Sequence, residues 1–168
     1  MTVDGLNTLP TGEAAGALLA CCGSTRWAHE MEARRPFRDA HDLLDTADEV
    51  WFGLDAEDWL EAFRAHPRIG ERKAAPAQGA QAAAWSAQEQ SRAAEAGDDV
   101  ARALAEGNAA YEARFGHIYI VCATGKSAEE MLAILRARLD NDPATELRAA
   151  AAEQARITRI RLEKLLVS

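Results

Sequence analysis

The chain has 168 residues, a mass of 18.2 kDa and a formal net charge of −8, which suits one domain spanning residues 1–168 that buries about two-thirds of its unfolded surface. Its 38 alanines outnumber the 31 residues of Leu, Ile, Val and Phe, and because alanine is the best helix former this composition argues for an all-α fold over a β-sandwich or barrel. No apolar run approaches the about 18 residues of a membrane span, the first residues lack a basic leader, and no basic stripe suits nucleic acid, so membrane, secreted and nucleic-acid-binding readings are disfavoured.

Breakers divide the chain into about eight helices. The first is expected from Thr11 to Cys22, ending at Gly23, and Ser24 can cap a second that carries Trp27 and Met31 and halts before Pro36. A third spans residues 39 to 52, within an acidic stretch from Asp39 to Glu61 that holds no Lys or Arg and reads as a solvated helix face. Asp55 can cap a fourth bearing Trp59, Leu60 and Phe63. That helix must fail near His66, because the residue before Pro67 is pushed out of the α region. Residues 67 to 80 read as a loop, and helix resumes from Trp85 to Ala96. After a pause at Gly97 another helix runs to Phe115. The run His117-Ile118-Tyr119-Ile120-Val121-Cys122 is β-like but has no second strand to pair with, so an extended connector is expected near residues 117–123. Ser127 and Glu130 form a capping box, and Asp142-Pro143 opens the last helix.

Four constellations carry possible chemistry. His66 stands where a helix breaks at a proline, so its imidazole is restricted in direction, and the partial negative charge of a helix end favours imidazolium by about 0.3–2 kcal/mol. Such a group suits proton donation, while the plainer reading is a histidine capping its own helix. Ser86 and Glu89 read as a capping box at a helix N-terminus, where free N–H groups beside Ser, Glu and Gln side chains would suit a ligand rich in amides. Arg161 edges the apolar face of the last helix, where a guanidinium either pairs locally or meets a carboxylate bidentately. Cys21, Cys22 and Cys122 offer neither a CxxC motif nor a disulfide framework, which fits a reducing cytoplasm, and the spacing of His29, His41, His66 and His117 matches no metal site.

In order along the chain stand Cys21-Cys22-Gly23-Ser24, Trp27, Met31, Arg35-Pro36-Phe37, Phe63-Arg64-Ala65-His66-Pro67-Arg68-Ile69-Gly70, Trp85-Ser86-Ala87-Gln88-Glu89-Gln90, Asn108, Tyr111, the run from Phe115 to Ala123, Gly125, Glu153-Gln154 and Ile157 to Leu162. This set resembles the 2-oxo-4-hydroxy-4-carboxy-5-ureidoimidazoline (OHCU) decarboxylase family from about Leu9 to Leu166, with the alanine-rich residues 74 to 84 as loop variation. The resemblance implies an all-helical fold and decarboxylation of OHCU to (S)-allantoin without metal or organic cofactor. It implies that His66 is the catalytic acid, with Pro67 in the same wall, and that Ser86, Gln88, Glu89 and Gln90 hold the ureido and ring groups. Backbone groups of Ile118, Tyr119, Ile120, Val121 and Cys122 would contact the ring, and Arg161 would bind an anionic end.

On that reading the partners are the small-molecule substrate and product, and a homodimer is the expected assembly from the frequency of symmetric pairs. An anionic substrate meeting a net-negative protein needs local compensation, for which Arg68, Arg72, Lys73 and Arg161 are the candidates. Two rivals stand beside it. One is a non-enzymatic helical interaction module built around Trp27, Trp51, Trp59 and Trp85. The other is a hydrolase of the preceding ureide intermediate, with Cys22 as an imaginable nucleophile.

Overall fold

Every regular element of the computed structural model, which describes residues 1–71 and 79–167, is helical. Nine α-helices are present among these residues: α1 (Val3–Thr8), α2 (Glu13–Cys21), α3 (Thr25–Ala33), α4 (Ala40–Phe52), α5 (Ala56–Arg64), α6 (Ala80–Glu89), α7 (Asp98–Phe115), α8 (Ala128–Arg138) and α9 (Pro143–Val167). One 3₁₀ turn, Ala93–Glu95, follows α6. The all-α expectation holds, with α1 as an element the sequence did not announce. The chain divides into two compact units, residues 1–62 with 154 onward and residues 63–153, and the divisions fall within α5 and α9.

In the first unit, helix starts are secured by side chains both near and far in sequence. Ser24 accepts from the Trp27 amide at 3.2 Å and Asp39 from the Asp42 amide at 2.8 Å, both ordinary N-caps. Helix α2 has no side-chain cap of its own at Gly12. Instead Oε1 of Glu32, on α3, accepts from the amides of Gly12 at 2.7 Å and Ala15 at 3.1 Å. The end of α1 is closed likewise from a distance, by Arg35 Nη1 donating to the carbonyls of Leu6 (2.9 Å), Asn7 (3.3 Å) and Leu9 (2.7 Å). Trp27 is fully buried and its indole N–H reaches Ala47 O at 3.1 Å, which ties α3 to α4.

The second unit is built on α7 against α8. Leu104, Tyr111, Tyr119, Met131 and Leu135 lead its buried cluster, joined by Ile69, Val121 and Ala128. Gly107 lets the two helices close up, since a Cβ there would sit 2.9 Å from a δ-methyl of the fully buried Leu135. Gly116 ends α7 in the left-handed region at φ +78°, with its amide on Glu112 O. Ser127 and Glu130 form the expected capping box at the start of α8. Residues 117–123 carry no strand, and Tyr119 to Ala123 are buried.

Candidate active site

Helix α5 ends at Arg64, and His66 follows with its amide on Phe63 O at 3.1 Å, so the helix breaks before Pro67 as the X-Pro restriction requires. Both His66 and Pro67 are half-buried. The turn that follows, Pro67 to Gly70, is held at three places. Asn108 of α7, itself buried, donates from Nδ2 to Ile69 O at 2.9 Å. The Arg68 guanidinium meets the Glu112 carboxylate through Nε and Nη2 at 2.9 Å each, in a fork-on-fork pair. The Gly70 amide donates to Gln90 Oε1 at 3.0 Å, and Gly70 takes φ +89°, a backbone conformation that glycine adopts without strain.

That last hydrogen bond brings the Ser86–Gln90 segment to the histidine turn, but from the opposite helix end to the one expected. Helix α6 starts after Gly79, so Ser86 lies buried in its body, Gln88 is exposed, and Glu89 and Gln90 close its last turn. Ser86 and Glu89 are therefore no capping box. The alanines at 80 and 82–84 propagate helix leftward from Trp85, and the part of the expected loop at residues 80–84 is helix as well. Chemically the correction matters. A helix C-terminus presents carbonyl oxygens rather than N–H groups; those of Ser86 and Gln88 already accept from the Gln90 and Ser91 amides, and the side-chain oxygens of Glu89 and Gln90 make this an acceptor-rich end suited to ligand N–H donors.

The connector is secured at several backbone groups. His117 Nδ1 lies 3.0 Å from Ile118 O, Arg138 Nη1 donates to Ile120 O at 2.6 Å, and Lys126 Nζ donates to Cys122 O at 2.7 Å. The Cys122 amide donates to Glu153 Oε1 at 3.2 Å. The expectation that its backbone polar groups stand open to a ligand is thus corrected for Ile118, Ile120 and Cys122, whose carbonyls are already engaged. Burial pushes the Cys122 thiol up, and the nearby carboxylates of Glu153 and Glu89 add to the effect against Lys126. Glu89 therefore bears electrostatically on the end of the connector, as Gln90 bears on the histidine turn. The His117 ring sits among aromatic neighbours, with Phe63 at 5.3 Å and Tyr111 at 5.5 Å between centroids.

Arg161 belongs to the first unit, where it is 3% exposed and donates from Nη1 to Ala20 O at 3.4 Å. Arg68 is engaged by Glu112 and Glu71, so it is not the uncommitted cation anticipated for an anionic ligand. Arg72 and Lys73 lie outside the described residues. The residues that fix the turn and connector, Asn108, Glu112, Lys126, Arg138 and Glu153, were not singled out from sequence as supports. For Asn108 a signal existed, because it is a polar residue on the stripe of α7 that buries Leu104 and Tyr111.

The sequence model of the OHCU decarboxylase family matches residues 7–163. The chain belongs to the OHCU decarboxylase family. Similar to it is the 2-oxo-4-hydroxy-4-carboxy-5-ureidoimidazoline decarboxylase of Amia calva, 34% identical over 136 residues that cover 79% of this chain and 75% of that protein. The uric acid degradation bifunctional protein TTL of Arabidopsis thaliana is 41% identical over 147 residues, 86% of this chain, and the chain spans 45% of that longer protein. The crystal structure of an OHCU decarboxylase in the presence of (S)-allantoin matches with a TM-score of 0.77 and 37% identity, covering 89% of this chain and 96% of that one.

Within this family member the thiols are poor nucleophiles. Burial pushes Cys21 and Cys22 from the ordinary 9.0 up to about 12, more than the nearby Arg161 charge draws them down, and Cys22 closes α2 with its amide on Leu18 O. The native protein at pH 8 is expected to release no rapid colour from a disulfide thiol reagent, with three thiols reacting once it is unfolded in guanidinium. A fast single-thiol burst would restore Cys22 as a candidate nucleophile. The sign for stability follows: neutral buried thiols favour the fold fully below pH 9.0, and that contribution is lost as pH rises from 9.0 toward 12.

Proposed function

We propose that this chain decarboxylates OHCU to (S)-allantoin and CO2, with His66 as proton donor. The observation that carries the reading is the Gly70–Gln90 hydrogen bond, which joins the histidine turn to the acceptor-rich end of α6 within one unit. Family membership supports the same conclusion and favours it over an interaction module or a ureide hydrolase.

The chemistry asks little beyond orientation and one proton. Breaking the bond from the ring carbon to the carboxylate sends its electron pair toward the neighbouring ring carbon–nitrogen double bond, and CO2 departs. One proton enters on one face of the ring, so the balance is one proton in and one CO2 out, with no net redox change. His66, restrained by Pro67 and by the anchored turn, supplies that proton. The Glu89 carboxylate and Gln90 accept from ureido and ring N–H groups and hold one face toward the imidazole, while Ser86 and Gln88 shape the same helix end.

The test generates OHCU from urate in situ and follows circular dichroism. Accumulation of (S)-allantoin faster with the protein than without it supports the proposal, and an unchanged rate with racemic product overturns it.

A further inference from the structure

The connector's anchored carbonyls point to Arg138. The carbonyls of Ile118, Ile120 and Cys122 face His117, Arg138 and Lys126. Among the described residues, no hydrogen bond is formed by the backbone N–H or C=O of Tyr119 or Val121, which lie between them and are buried.

We infer that Arg138 is a positioning residue: by fixing the carbonyl of Ile120, at the centre of the connector, it aims the donors and acceptors of Tyr119 and Val121 at the ureide substrate. This rests on the decarboxylase reading of the same site. Arg138 is built for the task. Its Nε donates to Glu146 Oε1 at 2.7 Å, and Nη2 faces the same oxygen. Glu146 is fully buried, and its carboxylate also accepts from the Tyr111 hydroxyl and from Asn141 Nδ2 at 3.0 Å. The guanidinium lies over the Tyr119 ring, 5.0 Å from its centroid, and the Tyr119 hydroxyl is tied to Met131 O at 2.9 Å. With its counter-charge fixed on one side, its Nη1 arm ends on the connector. A buried ion pair is often no more stabilising than an apolar pair of the same shape, so its placement against Ile120 calls for a positional account.

The experiment compares Arg138→Lys, Arg138→Met and Tyr111→Phe with the parent, measuring kcat and KM on OHCU formed in situ, and urea unfolding for each. Positioning predicts that both Arg138 variants raise KM about 10- to 100-fold while kcat stays within about threefold, because the substrate meets a connector no longer held in register. Tyr111→Phe removes a hydrogen bond from Glu146 while keeping the ring that packs on His117 and Tyr119 of the connector, and is expected to lower the urea midpoint at parental KM. A purely structural Arg138 would instead lower the active fraction, reducing apparent kcat at unchanged KM, and that result overturns the inference. Should neither Arg138 variant fold, hydrogen exchange on the parent with saturating (S)-allantoin decides. Slowed exchange in a peptide spanning Tyr119 to Val121 supports it, and unchanged exchange there overturns it. A parent inactive on OHCU would refute the decarboxylase reading itself, whereas an active parent with parental Arg138 variants refutes only this inference.

Discussion

Replacing His66 by Gln is expected to slow (S)-allantoin formation about 10²- to 10⁴-fold, the range a single positioned acid supplies. The glutamine keeps a similar reach and hydrogen-bonding ability, but it has no proton to give at neutral pH. The anchors of the turn lie elsewhere, on Asn108, Glu112 and Gln90, so the backbone that carries residue 66 keeps its supports in the variant. Loss of rate should therefore come without comparable loss of stability, which thermal unfolding by far-ultraviolet circular dichroism would check. In water the ring is protonated on either face, so the residual product of the variant is expected to be near racemic. A His66→Gln protein that made (S)-allantoin at the parental rate would remove the imidazole from the reaction.

The second large effect is expected at Glu89. A carboxylate offers two acceptor oxygens and no donor, matched to neighbouring ureido N–H groups, and hydrogen bonds to a charged group are worth about 1.5–3 kcal/mol. Glu89→Gln keeps the shape but sets an NH2 against ligand donors. The expected outcome is a KM raised about 10- to 100-fold. Glu89→Ala is expected to add a loss in kcat, since the ring is then free to turn away from His66. Steady-state kinetics on the two variants separate these effects, and a parental KM in Glu89→Gln would show that the carboxylate does not read the substrate.

Two stretches with the same Ser-x-x-Glu pattern show what local sequence can decide. Ser127–Glu130 is a capping box because Gly125, at φ +77°, breaks the chain just before it. Ser86–Glu89 is not, because alanines precede it and the helix that could have begun at Ser86 begins after Gly79 instead. The pattern is what a capping box needs, but the residues upstream settle whether a helix starts there. His66 was legible for the complementary reason, since Pro67 acts on its immediate neighbour with no help from the rest of the fold. Helix α1 was not, because it is six residues long, contains Gly5, and has its carbonyls closed by Arg35 from far along the chain. The supports of the candidate site share that property. Asn108 to Ile69 and Arg68 to Glu112 bridge 39 and 44 residues, and no periodicity or spacing in the sequence encodes such pairs.

The carboxylate of Glu32 has a consequence for the order in which this protein is made. Gly12 precedes it by 20 residues, so on the ribosome the first turn of α2 emerges with only water for its amides. It is completed retrospectively, by a side chain synthesised after that helix has already left the peptidyl-transfer centre.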